Sequence, residues 1–380
     1  MIYLDNCAST RPYDEVAKKV YDVMTNEYAN SAALHRFGFN SEKIIRESAQ
    51  IIADSLDVKP EEIIFTSGAS ESNNMAIIGS TKVHKRQGNH IITTNIEHPA
   101  VRKVCTMLED EGFEVTYLDV DENGMISIDE FKKALKETTI FVSMMAINSE
   151  VGTRLPINEV GRIIKEYNKN IIFHVDGTQE YMKYKVNIKN IDLYSVSAHK
   201  FHGPKGIGFL YKRMGINIPP YILGGSHQQG MRAGTINVPA IAGMAEAVKI
   251  RKPKLEEIRG KVKEIKNYFI DQLKGIQGAH INTKGNDISD YVCSVRFDEI
   301  RSEVMLHALE DEGIYVSAGS ACSAHSKNIS SVLVNIGLNK NQAESTIRFS
   351  FSEFNTKDEI DIVIKNLKNL VPMLRKFVRK

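Results

Sequence analysis

The chain has 380 residues, of which 42% are hydrophobic and 25% charged, with a formal net charge of +2. That length accommodates two domains, and the composition is ordinary for a soluble globular protein. The small net charge gives no field for nucleic acid or an anionic membrane, and no apolar run approaches the ~20 residues that span a bilayer.

The N-terminus, Met1-Ile2-Tyr3-Leu4-Asp5-Asn6-Cys7, has neither a basic start nor an apolar stretch, so no export signal is read. The four cysteines, Cys7, Cys105, Cys293 and Cys322, form neither a disulfide framework nor a zinc pattern. Both observations point to a reducing cytoplasm.

In chain order, short β-branched runs at 62–66, 90–94, 113–118, 139–144, 171–175 and 191–196 are predicted strands. Amphipathic stretches such as 157–167 separate several of them. This βαβα rhythm predicts an α/β fold, a mainly parallel sheet flanked by helices, with ligands beyond the carboxyl ends of the strands. From about Lys252 the pattern changes to a charged helix at 255–273, an alternating strand at 291–297, and a last helix announced by Thr356 and Glu359 at capping-box spacing. The expected division is a large α/β domain, 12–252, and a smaller α+β domain made of 1–11 and 253–380.

Three segments carry chemistry. Thr66-Ser67-Gly68-Ala69-Ser70-Glu71-Ser72-Asn73-Asn74 follows a strand and opens a helix, a turn whose free backbone N–H groups suit an anion or an ordinary N-cap. Asp176 ends the strand 171–175, and Ser195-Val196-Ser197-Ala198-His199-Lys200 ends the next before the glycine-rich run 203–208. Together, a phosphate turn, a strand-end Asp and a strand-end Lys are far more specific than any one of them. Cys322 lies in a segment, 316–328, of almost wholly small or polar residues, with His325 and Lys327 near enough to lower a thiol pKa. Cys293 and Cys105 read instead as buried packing residues. The run from Asp119 to Glu130 fits calcium-loop spacing, but the strand before it argues against a helix–loop–helix site.

These residues resemble the cysteine desulfurases of the iron–sulfur cluster assembly and nitrogen-fixation group, from Tyr3-Leu4-Asp5 to about Ile360. The most specific pieces are 66–72, Glu97-His98, His174-Val175-Asp176, Ser197-Ala198-His199-Lys200, 230–235, Gly319-Ser320-Ala321-Cys322 and Ile347-Arg348-Phe349-Ser350. The resemblance implies the aminotransferase-like fold (fold type I), pyridoxal 5'-phosphate (PLP) as cofactor, and a homodimer. Lys200 should attach PLP covalently, Asp176 should face its ring nitrogen, Gln179 its phenolic oxygen, and His98 its ring face. Ala69, Ser70, Ser197 and His199 should hold the phosphate, with Thr235 contributed by the second subunit. Ser149 stands where the family has an asparagine that contacts the cofactor. Arg348 should clamp the substrate carboxylate, and Asn30 is placed with the substrate. Lys200, Cys322 and His98 would be the catalytic residues, converting L-cysteine to L-alanine with the sulfur held on Cys322 as a persulfide for a sulfur-acceptor protein.

The chain departs from the family pattern at Asn30-Ser31, at Ser149, at Gln228 in place of glutamate, and at Ser350-Phe351-Ser352-Glu353 in place of Ser-Leu-Gly-Arg. Alternatives are a selenocysteine lyase, another aminotransferase-like PLP enzyme, or a PLP-binding scaffold of low activity.

Overall fold

The computed structural model describes residues 1–318 and 329–376. Within them the strands are β1 (Ile2–Tyr3), β2 (Ile63–Thr66), β3 (His90–Thr94), β4 (Glu114–Leu118), β5 (Thr139–Met145), β6 (Ile172–Asp176), β7 (Leu193–Ser197), β8 (Gly208–Lys212), β9 (Ala279–Ile281), β10 (Val292–Phe297), β11 (Ile314–Tyr315), β12 (Ser317–Ala318) and β13 (Thr346–Ser350). Seven form one sheet in the order β2-β8-β7-β6-β5-β3-β4. The run β7-β6-β5-β3-β4 is parallel, and β8 is antiparallel to both neighbours.

The sheet is apolar on both faces because helices cover both. Ile64, Ile91, Phe141, Ile172, Leu193 and Leu210 enter one core cluster, while Phe65, Ile92, Val142, Phe173, Tyr194 and Phe209, each one residue away, enter the other. A strand side-chain period of two produces this division. The six predicted strands of this sheet are present, with ends displaced by a residue or two.

Within this sheet, β8 is the strand that sequence reading missed. Its first residue, Gly208, closes a glycine-rich run that reads as a turn. The glycine is required by a close approach: a Cβ there would lie 2.2 Å from the Val196 carbonyl oxygen and 2.8 Å from Gly68 Cα. The ends of β2, β7 and β8 are therefore packed backbone against backbone.

The second sheet, β12-β13-β10-β9, is antiparallel. The predicted helix Leu255–Leu273 and the capping box of Lys357–Arg375 are both present, Thr356 accepting from the Glu359 amide. The strand expected to alternate is buried on both faces. Ser294 is covered because it lies opposite Arg348, and its hydroxyl accepts from Asn282. The N-terminal residues join this half of the chain: β1 pairs with β11, and Asp5 bridges to Ser350.

Candidate active site

The carboxyl ends of β2, β6 and β7 meet at one edge of the large sheet. After β2, Gly68 adopts φ +150° and N-caps the helix Ala69–His84. A side chain at Gly68 would be strained and would meet Ser197 Oγ at 3.2 Å. Ala69, Ser70 and Ser197 are thus brought to one turn, where the first helical N–H groups lack intrahelical partners. Ser67 and Ser70 are exposed.

Asp176 closes β6 and is buried. Its Oδ2 accepts from Asn73 Nδ2 at 2.8 Å, and its Oδ1 accepts from the Thr178 amide at 3.0 Å and from the Thr178 hydroxyl. These donors fix the carboxylate in one orientation. Sequence reading missed both partners, although Asn73 carries a signal: it is a polar residue on the buried face of the helix Ala69–His84.

β7 ends at Ser197, one residue past the predicted end at 196, so Lys200 follows the strand and is not part of it. Ala198–Lys200 is instead a 3-10 turn. Thr10 brackets that turn, its hydroxyl donating to the His199 carbonyl at 2.8 Å and accepting from the His202 amide at 2.7 Å. Lys200 Nζ donates to the carbonyl oxygens of Cys7 at 2.7 Å and Ala8 at 2.8 Å. The same Cys7 oxygen accepts from Gln179 Nε2 at 3.0 Å, so Gln179 and Lys200 converge on one atom. Cys7, whose role sequence left open, serves here through its backbone, with its side chain buried. His199 lies beside Ser9, and burial, aided by Lys200, Lys205 and Lys183, pushes it down to about 4, so it is neutral.

His98 N-caps the helix Pro99–Asp110, with Nδ1 accepting from the Ala100 amide at 3.1 Å. Accepting at Nδ1 places the neutral ring's proton on Nε2. Burial holds His98 below its ordinary value, against the pull of Asp176 and with help from Lys200. Both charges act on it because all three residues share the edge of the sheet. Beside it, Glu97 Oε1 accepts from Thr94 Oγ1 at 2.7 Å and from the Met145 amide at 2.9 Å, joining β3 to β5.

Arg348 lies in β13, 4% exposed. Its guanidinium donates to the Ser149 carbonyl at 3.0 Å and to Asp5 Oδ1 at 2.7 Å, while Nε is buried without a hydrogen-bond partner among the described residues. What Ser149 contributes here is its backbone. Asp5, missed as a partner, reaches Arg348 from the opposite end of the chain. Asn30 and Thr235 are exposed, and no hydrogen bond ties either to the cluster among the described residues. Asn30 Oδ1 instead accepts from the Ala32 amide at 2.9 Å.

Cys322, His325 and Lys327 lie outside the described residues. The chain on either side is tied to Arg348 and its neighbours: Ser317 pairs with Arg348, and Ser330 Oγ donates to Glu150 Oε2 at 2.5 Å. The calcium-like run follows β4, and Asp121 Oδ1 accepts from the Asn123 and Met125 amides, closing its own turn.

Comparison with known proteins identifies the family and the fold. The family model for aminotransferase class-V matches residues 2–363. Cysteine desulfurase IscS of Buchnera aphidicola is 39% identical over 99% of this chain and 96% of its own length. The IscS of Methanosarcina thermophila is 38% identical over 98% and 93%. Among solved structures, a NifS-like protein superposes with a TM-score of 0.93 at 35% identity, covering 98% of this chain and all of its own. SspA in complex with cysteine superposes with a TM-score of 0.83 at 32% identity, covering 94% and 100%. The departures at Asn30, Ser149, Gln228 and Glu353 leave the kinship intact, and the chain belongs to the cysteine desulfurases, PLP-dependent members of the class-V aminotransferase family.

Proposed function

We propose that this protein removes sulfur from L-cysteine, releasing L-alanine, and holds the sulfur on Cys322 as a persulfide for an acceptor protein. The observation that carries the reading is the meeting of Asp176, His98 and Lys200 at one sheet edge beside the Gly68 turn. That donor set fits PLP. The Gly68–Ser70 turn with Ser197 and His199 would take the phosphate, Asp176 the ring nitrogen, Gln179 the phenolic oxygen, His98 the ring face, and Lys200 the aldehyde carbon. Ser149 lies close by, its carbonyl on Arg348.

Bound PLP supplies an electron sink for negative charge at the substrate Cα. The residues of the chain do the rest. Arg348, with its planar fork of donors, orients the substrate carboxylate, and Asn30 would contact the substrate. The Lys200 amine removes the Cα proton, and the neutral His98 ring can accept or return one. The Cys322 thiolate attacks the substrate sulfur. An S–S bond forms as the C–S bond breaks, and Cβ gains a proton, so cysteine and a thiol become alanine and a persulfide.

The seven-stranded and four-stranded sheets, with β1 paired to β11 and Asp5 bridged to Ser350, support domains of 12–252 and of 1–11 with 253–380. Exposed Tyr21, Met24, Tyr28, Leu34, Phe39 and Leu223 support a second copy of the chain as partner, with the exposed Thr235 reaching the neighbouring site. Among the described residues no helix is long and apolar enough to cross a membrane. The free thiols Cys7, Cys105 and Cys293 support a reducing, cytoplasmic setting.

The test is to supply the PLP-loaded protein with L-cysteine and a thiol reductant, following alanine and sulfide together. Equal amounts of both are expected, and Lys200→Ala should yield neither. A protein that binds no PLP, or that forms sulfide without alanine, overturns the reading.

A further inference from the structure

Lys183 is a buried cation without an obvious reason to be there. It follows β6 in the turn that carries Gln179, is 4% exposed, and has no carboxylate within ion-pair distance among the described residues. A buried charge without such a partner is expensive to keep. Its Nζ donates to Gln179 Oε1 at 2.7 Å and sits 5.3 Å from the centre of the Tyr291 ring.

The chemistry of the two ends of Gln179 then becomes decisive. A side-chain amide can be turned over at little expense unless its neighbours discriminate oxygen from nitrogen. An ammonium only donates, and a carbonyl oxygen only accepts. Lys183 therefore demands the amide oxygen, and the Cys7 carbonyl, 3.0 Å from Nε2, demands the nitrogen. Both neighbours select the same orientation. Nε2 retains a second N–H, and the same Cys7 oxygen also holds Lys200 Nζ, so this donor is presented next to Lys200.

We propose that Lys183 is a positioning residue, holding the Gln179 amide so that it presents a donor, not an acceptor, to the phenolic oxygen of the cofactor. The inference rests on the assignment of Gln179 to that oxygen. A donor there favours the phenolate; an amide turned over would set oxygen against oxygen. Burial lowers the Lys183 pKa to about 8, which keeps the ammonium in neutral solution.

The test compares Lys183→Met, Lys183→Arg and Gln179→Ala by PLP titration and by the visible absorption band of the bound cofactor, with melting of the cofactor-free proteins as a check on folding. K183M is expected to bind PLP about tenfold more weakly and to shift the band, the scale of one misdirected hydrogen bond. K183R, still a donor-only cation, should restore both. Should K183M not fold, K183Q, whose amide can donate or accept, should show the same changes in smaller degree. If K183M, or K183Q in its place, matches wild type while Q179A changes affinity and band, Lys183 does not position Gln179. If Q179A changes neither, the assignment of Gln179 fails and the proposal with it.

Discussion

The Arg251 guanidinium meets the Glu353 carboxylate at 2.5 Å, where the end of the helix Val238–Arg251 is buried against the segment following β13. Tyr13 donates to the same carboxylate, Arg251 donates to Tyr13 at 2.8 Å, and His202, in the turn that carries Lys200, lies 3.3 Å from Glu353 Oε2. Glu353 stands where the family usually has arginine, so the departure has a local reason: the site already holds a buried guanidinium. Glu353→Arg should set two cations together and lose about 3–5 kcal/mol in urea denaturation, the scale for breaking a buried ion pair. An unchanged urea midpoint would show that the cluster is not a structural tie.

The same cluster predicts an acid limb. Burial alone would raise the Glu353 pKa, but His202, Arg251 and Tyr13 outweigh it and hold the carboxyl far below its ordinary value. The folded state then binds fewer protons than the unfolded chain, so this stabilisation is present above the ordinary glutamate pKa of about 4.3 and is lost as pH falls below it. Glu353→Gln should be less stable than wild type at neutral pH, with the gap narrowing in acid. A gap that stays constant from neutral pH to about pH 3 contradicts the assignment.

Glu97 gives the opposite sign. Burial, aided by the charge of Asp176, pushes its carboxyl up to about 8 despite the bonds from Thr94 and Met145. The folded state keeps a proton that the unfolded chain releases, so stability falls as pH rises from about 4.3 to about 8. Glu97→Gln removes that slope while its amide oxygen can still accept from Thr94 and Met145. It should match wild type near pH 5 and exceed it by at least about 1 kcal/mol near pH 8, measured by urea unfolding. A variant less stable than wild type at both pH values would show an ionised Glu97.

Arg348→Lys tests the carboxylate clamp. A lysine retains the charge but cannot bridge the Ser149 carbonyl and Asp5 with a planar fork. The KM for L-cysteine should rise about tenfold or more, with a smaller change in kcat. An unchanged KM would remove Arg348 from substrate binding.

Most of the large sheet, and the positions of Asp176 and Lys200 at its strand ends, were legible because those signals are local. Asp176 and Lys200 are read from strand-end motifs within a few neighbours. What sequence hid were partnerships across the chain. Asp5 with Arg348 and Arg251 with Glu353 join residues far apart in sequence, and no periodicity reports such pairs. Gln228, read as a departure, adopts φ +51° and bonds both the amide and the carbonyl of Phe65, giving the edge strand β2 a side-chain partner. Cys7 was opaque for another reason: it holds Lys200 and Gln179 by its carbonyl oxygen, which every residue has. β8 was hidden because close approach to Gly68 demands the glycine that reads as a turn.

The cysteines allow the sharpest separation of roles. Cys7, Cys105 and Cys293 are buried, and burial pushes the Cys105 thiol up to about 12 and the Cys293 thiol to about 11. The Cys105 and Cys293 thiols are therefore protonated near neutral pH and are poor nucleophiles. Brief alkylation of the folded protein should therefore label the peptide containing Cys322 first. Cys322→Ser should fold and bind PLP, because Lys200, Asp176 and Arg348 are untouched, yet release almost no sulfide, since a hydroxyl cannot accept the sulfur. Cys105→Ser and Cys293→Ser should keep desulfuration and lose about 1–2 kcal/mol, the scale for a buried hydroxyl in an apolar setting. Mass spectrometry after brief exposure to L-cysteine should find the extra sulfur on the Cys322 peptide. Extra sulfur on Cys7 instead, or wild-type sulfide release from Cys322→Ser, would assign the nucleophile elsewhere.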